Sequence, residues 1–191
     1  MKTVLTVVVA VALGVGLGLF SAWRAVGSAK PIDVVRIGLW EAQPSAGTED
    51  ADPYSRARLA RAGELPLGSG EGLQLTAVQD RAGASLQGGC AYRLVGRTPP
   101  ARLWTVVVEG ADGSPLAGRP GTRALGSEAI LRSPDGAFTL HFAPEPRPGN
   151  WLSSEHDGPI RLVVRLYDTT ARTVTGATSF AMPDIVAEGC A

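Results

Sequence analysis

A chain of 191 residues, 45% of them hydrophobic, can bury one substantial core, so a single folded domain with an additional segment is the expectation. Its 18 basic and 18 acidic residues cancel to a formal net charge of zero, which argues against a partner held by bulk charge such as nucleic acid. Lysine is confined to Lys2 and Lys30, and no arginine cluster follows a helix face long enough to grip a phosphate backbone.

The chain opens on Thr3–Trp23, an uninterrupted run of apolar and small residues preceded only by Met1 and Lys2. About 20 residues at helical rise span the hydrocarbon core of a bilayer, whereas a secretory signal has a shorter apolar region. Gly27-Ser28-Ala29 offers a cleavage site, but Arg24 interrupts the approach to it. The expected organisation is an uncleaved transmembrane signal-anchor at 3–23, a linker at 24–33 and an exported domain at 34–191. Gly14 and Gly18 form a GxxxG pair, read here as the ordinary glycine content of membrane helices.

Within the domain, Val34–Trp40 reads as a strand and Glu41–Asp50 as a loop. Asp52-Pro53 is a helix start, with a carboxylate N-cap and proline at the first position; Tyr54–Ala62 continues the helix and Gly63 ends it. Arg56, Arg58 and Arg61 give that helix a basic surface, either solvated or a docking face for a partner. The glycines of Gly68–Gly72 match neither dinucleotide-loop nor phosphate-loop spacing and read as a turn before the strand Leu73–Gln79. Cys90–Val95 and Arg102–Glu109 alternate on either side of a corner at Gly96–Pro100 and are expected to pair as a central hairpin. The second of these runs is apolar on both faces through Trp104–Val108, as in a strand covered on each side. Further strands are expected at Ala124–Arg132, at Ala137–Phe142 with Phe138, Leu140 and Phe142 inward, and at Ile160–Tyr167. Pro144–Asn150 reads as a loop leading to Trp151, and Asp168–Ala191 as a weakly patterned tail anchored by Ile185 and Val186. Short strands at close intervals, with one short helix, indicate an all-β antiparallel sandwich.

Several stretches carry a resemblance: Ile37-Gly38-Leu39-Trp40, Asp52-Pro53-Tyr54 with Arg56-Ala57, Cys90-Ala91-Tyr92-Arg93, Pro100-Ala101-Arg102-Leu103-Trp104, Pro148-Gly149-Asn150-Trp151-Leu152 and Arg165-Leu166-Tyr167-Asp168-Thr169. With them the chain resembles the bacterial family called domain of unknown function 1214, over roughly residues 34–190. The resemblance implies a jelly-roll-like β-sandwich. It also implies a companion of the domain of unknown function 1254 type, which this chain lacks and a separate protein would supply. Gln74 departs from the family pattern, which favours an aromatic residue nearby. The resemblance supplies fold and context rather than chemistry; the apolar segment, with only two residues before it, sets the expected location, a single pass of the bacterial inner membrane with the C-terminal domain in the periplasm.

Candidate chemistry is sparse. Cys90 and Cys190 are an even pair without a CxxC spacing, which in an exported chain points to one structural disulfide; free thiols, or metal ligation with His141 and His156, are the alternatives. Glu155-His156-Asp157 is the compact acid–base set, more in keeping with a solvated loop than with a metal or catalytic centre. No Gly-x-Ser-x-Gly elbow occurs. Trp151 and Asn150 are the candidate ligand-binding residues; an exposed indole would stack on an envelope polysaccharide or a partner, and an inward one, the preferred reading, would cap the core with its N–H bonded to backbone. The expected function is a membrane-anchored periplasmic binding or assembly module without cofactor or metal. The alternative is an envelope hydrolase, or another enzyme, completed by a partner protein.

Overall fold

Alternate residues of the strands meet in one hydrophobic core, to which Leu73, Leu75, Trp104, Val106, Leu162 and Val164 contribute from one sheet and Tyr92, Leu94, Leu140, Phe142 and Leu152 from another. The computed structural model describes residues 2–28, 33–68, 70–116, 122–169 and 180–190. The elements are α1 (Lys2–Ser28), β1 (Val35–Ile37), β2 (Trp40–Ala42), α2 (Pro53–Ala62), β3 (Gly72–Ala77), β4 (Cys90–Gly96), β5 (Ala101–Gly110), β6 (Ala124–Gly126), β7 (Phe138–Ala143), β8 (Asn150–Ser153), β9 (Ile160–Thr169) and β10 (Asp184–Cys190). One sheet runs β1-β2-β3-β9-β5-β6 and the other β10-β4-β7-β8. The protein is therefore mostly β, with a short helix and an apolar N-terminal helix, as expected. The second sheet is mixed rather than purely antiparallel, because β7 and β8 pair in parallel.

The expected central hairpin does not form. β4 pairs with β10 and β7, whereas β5 pairs with β9 and β6, so Gly96–Pro100 carries the chain from one sheet to the other. Two alternating runs around a corner look the same in sequence whether they pair edge to edge or face each other across a core. Here they face each other, with Tyr92 stacked on Phe142 (4.9 Å between ring centroids) in one sheet and Trp104 stacked across the core on Phe138 (5.2 Å).

The first expected strand is likewise folded back on itself. Gly38 adopts φ +62°, a left-handed conformation costly for other residues, and turns Ile37 to face Trp40 across a two-residue hairpin. Trp40 is 1% exposed and its indole N–H donates to the Pro183 carbonyl at 2.8 Å. Ala124–Arg132 is strand only at Ala124–Gly126, and Trp151 lies in β8 instead of a loop. The tail carries an edge strand, β10, in which Ile185 is fully buried as expected and Val186 is half-buried. The linker at 29–32 and the part of the tail at 170–179 lie outside the described residues.

α2 begins and ends where the sequence places it. Asp52 Oδ1 accepts from the backbone N–H groups of Tyr54 (2.9 Å) and Ser55 (3.0 Å), Pro53 occupies the first turn, and Gly63 closes the helix at φ +67°. The hydrogen bonds from Ser55, joined by that from the Tyr54 N–H, hold the Asp52 carboxyl below its usual range. A carboxylate depressed in the folded state contributes stability above its unfolded pKa and loses it as pH falls through the folded value. The protection of the Tyr54 and Ser55 amides, taken relative to their intrinsic exchange at each pH, should therefore fall below about pH 4 in the native protein. In Asp52→Asn, which keeps an acceptor, that protection should hold level across the same range; equal acid sensitivity of the protection in the variant would remove Asp52 as the cause.

Candidate functional site

The outward face of the larger sheet carries the charge that its interior excludes. Along β9, Ile160, Leu162, Val164 and Leu166 point into the core, and Arg161, Val163 and Arg165 point away from it. Register sets Glu109 opposite Arg161, and places Arg165 between Gln74 on β3 and Thr105 on β5. Arg161 donates through Nε to Glu109 Oε2 (2.9 Å) and through Nη2 to Glu64 Oε1 (3.0 Å). Arg165 donates through Nε to Gln74 Oε1 (3.0 Å) and through Nη2 to Glu109 Oε1 (3.4 Å).

These side chains are largely withdrawn from water, at 11% exposure for Glu109, 15% for Arg161, 22% for Glu64 and 25% for Arg165. Burial disfavours the Arg161 charge, but the hydrogen bond and charge of Glu109, with those of Glu64, outweigh it and raise its pKa above the ordinary guanidinium value. Arg161 is thus a permanent cation held in place by two carboxylates.

α2 and the segment after it cover part of this face without filling the space beneath. A cavity of about 180 Å³ lies between Gln43, Arg58, Leu59, Glu64, Gln74 and Arg161. An adjoining cleft of about 560 Å³ runs on between Ala62–Pro66, Asp112–Pro115, Glu109 and Arg165; Glu64, Pro66, Gln74 and Arg161 line both. Gly113, at φ +86°, lets the 111–114 turn approach, because a Cβ there would stand 2.6 Å from both Arg161 Nη2 and Glu64 Oε1. Arg58 donates through Nη2 to Gln43 Oε1 (3.1 Å), while its Nε is buried and has no hydrogen-bond partner. The site sets arginine donors beside acceptors on Glu64 and Gln74, with charges of both signs, an arrangement suited to a polar ligand or to a partner's hydrogen-bonding groups.

The residues singled out in the sequence are dispersed. Arg56, Arg58 and Arg61 do not form one docking face: positions two apart on a helix point in nearly opposite directions. Arg56 is exposed, Arg58 turns inward to Gln43, and the exposed Arg61 sets its guanidinium 5.6 Å from the centre of the Trp23 ring of α1. Cys90 and Cys190 are joined in a disulfide that ties β10 to β4.

Asn150 is 7% exposed; its Oδ1 accepts from Leu131 N–H (2.7 Å) and its Nδ2 donates to the carbonyls of Leu131 and Thr139 (both 2.8 Å). This amide splints the chain at Leu131 to β7 from within. Asn150→Ala should lower stability by roughly 2–3 kcal/mol through the orphaned backbone groups, measured by urea unfolding; a loss under about 0.5 kcal/mol, the scale of an ordinary surface substitution, would deny it that role.

Trp151 is half-buried outside the central core cluster, opposite His141, with its indole N–H donating to Ala143 O (3.2 Å). The bond to backbone is as expected, but the ring lies on the outer side of an edge strand and does not cap the core. Glu155 and Asp157 are exposed and His156 is half-buried in the loop after β8, beside Gly88; none of the three lines the cavity or its adjoining cleft, though His156 lies within electrostatic reach of Asp112 on the cleft's edge. His141 Nδ1 lies 3.2 Å from Glu188 Oε2. Among the described residues, no three His, Cys, Asp or Glu side chains are grouped to hold a metal ion.

Sequence reasoning missed the network of Glu64, Glu109, Arg161 and Arg165. Its signal is the stretch Arg161–Arg165, where two arginines share the outward phase of an otherwise apolar strand, and Glu109 in the outward row of β5. A charged pair on a strand apolar on both faces indicates a buried ionic contact on the covered outer side.

The profile of the family described as "Protein of unknown function (DUF1214)" matches residues 71–171, from β3 through β9 and including Glu109, Arg161 and Arg165. No curated protein matches the chain. The crystal structure of the VPA0106 protein from Vibrio parahaemolyticus shares the fold at a TM-score of 0.60 and 17% identity, over 93% of this chain and 44% of that one. The present chain thus spans less than half of that protein's length. A crystal structure of an uncharacterised protein from Burkholderia cenocepacia aligns at a TM-score of 0.43 and 26% identity, over 60% of this chain and 29% of that one.

Proposed function

Since the chain belongs to the DUF1214 family of unknown function, we propose that it is a membrane-anchored binding or assembly module on the periplasmic side of a bacterial inner membrane. In this reading its two sheets are a jelly-roll-type sandwich, and the cavity beneath α2 receives the ligand or partner. The observation that carries it is α1, a helix of lipid-spanning length whose apolar side chains are bare, with Leu17 67% and Phe20 60% exposed. A bare apolar surface of that length calls for lipid. The Cys90–Cys190 bridge supports an oxidising compartment for the domain. A companion protein of the domain of unknown function 1254 type, which the family resemblance implies, is the proposed partner; envelope polysaccharide is the proposed alternative ligand.

The test is alkaline carbonate extraction of native membranes followed by intact-mass measurement. The chain should stay in the pellet with Lys2 still present. A soluble chain that begins near 30 would mean that the apolar segment is a cleaved signal, and would overturn the anchor.

A further inference from the structure

The cavity uses only one side of α2. Its sequence, PYSRARLARA, holds three arginines and no acid, and it buries Ser55 and Leu59 against the domain. At 100° per residue the opposite side presents Ala57 and Ala60, flanked by Arg56 on one edge and by Arg61 and Tyr54 on the other, all exposed. The Arg61 edge meets α1: its guanidinium lies over Trp23, and a Cβ on Gly27 would stand 3.9 Å from its Nη1. Two residues past the Gly63 cap, Leu65 is 92% exposed.

About 20 residues of α1 fill a hydrocarbon core, which leaves Trp23 and Arg24 at the level of the lipid headgroups, where tryptophan concentrates. A guanidinium 5.6 Å from that ring sits at the same depth. Glu49, Asp50 and Asp52 lie at the other end of α2, Glu64 is taken up by Arg161, and Asp112, across the cleft from Ala62–Pro66, accepts from the Ser114 N–H and hydroxyl. At the C-terminal end of α2, Arg61 therefore stands beside Arg24 and Trp23 of the membrane helix, with the nearly bare Leu65 two residues beyond the cap, a grouping of cation and apolar side chain suited to the lipid interface.

We infer that the C-terminal end of α2, with Arg61, Arg24 and Leu65, docks on the membrane surface itself: the arginines pair with lipid phosphates and Leu65 enters the headgroup boundary. This rests on α1 spanning the membrane. Docking would bring Ala62–Pro66, one rim of the cleft, to the bilayer and orient the cleft along it.

The test is hydrogen–deuterium exchange of the full chain in nanodiscs of phosphatidylglycerol and, separately, of phosphatidylcholine. Peptides covering 54–67 should exchange about fivefold more slowly in the anionic discs for each engaged arginine. Arg61→Glu and Leu65→Asp should remove that difference, and Arg147→Glu, an equal charge change at an exposed position elsewhere, should keep it. Equal exchange in the two lipids, or a difference that survives Arg61→Glu, overturns docking on headgroup charge. Carbonate extraction separates the two claims: a chain that stays in the pellet yet shows no lipid dependence loses the docking and keeps the anchor.

Discussion

Replacing Cys90 or Cys190 with serine should lower the unfolding free energy by about 4–5 kcal/mol, the chain-entropy value for a loop of this length. The bridge closes 100 residues, and at that separation the unfolded chain loses most by being tied. The two variants should agree, because either substitution removes the same constraint. They should also match the wild type under reducing conditions, measured by urea unfolding. Locally, β10 should open first. It is an edge strand paired only with β4, its register is interrupted between Ala187 and Gly189, and Ile185 is its one fully buried apolar side chain. Variants that differ from the wild type by less than about 1 kcal/mol would mean that the bridge constrains little that β4 pairing does not.

Arg161→Ala should cost about 3 kcal/mol, near the lower end for breaking a buried ion pair from one side. Glu109 would keep only the 3.4 Å contact from Arg165, in a site where its side chain is 11% exposed, and Glu64 would lose its Arg161 partner. The conservative Arg161→Lys should recover part of the loss, since a single ammonium cannot donate from two fixed directions to Glu109 and Glu64 together. Glu109→Leu with Arg161→Met should cost less than the sum of the two single changes, because neither member of this pair is left facing an absent partner, while the losses at Glu64 and Arg165 are the same as in the single variants. A double variant as unstable as the sum of its parts would show that packing, not charge pairing, holds this face.

The course of α2 was legible because its ends are chemical: a carboxylate before proline at Asp52-Pro53, and a glycine at 63 that takes the left-handed conformation. The inward faces of β3, β4, β7 and β9 were legible for a similar reason, since alternation is a local property of the chain. Partnership is not local. The run at Cys90–Gly96 carries the same pattern whether it pairs with β5 or with β10, and its partner shows only in the fold, where Tyr92 stacks on Phe142 and Trp104 on Phe138. The cavity was illegible on the same grounds, because Arg161 meets Glu109 and Glu64 across sequence separations of 52 and 97. The disulfide needed no geometry, only the even count and the compartment that the apolar segment implies. β10 was seen only as Ile185 and Val186 because an edge strand with one buried side chain has almost no periodicity to read.

The most direct test of a membrane-anchored module facing away from the cytoplasm is protease treatment of intact spheroplasts carrying a C-terminal epitope after Ala191. Loss of the epitope without lysis is expected once the disulfide is reduced, with a fragment containing α1 retained in the membrane. An epitope protected until the spheroplasts are lysed, under the same reducing conditions, would place the domain inside the cell and contradict it.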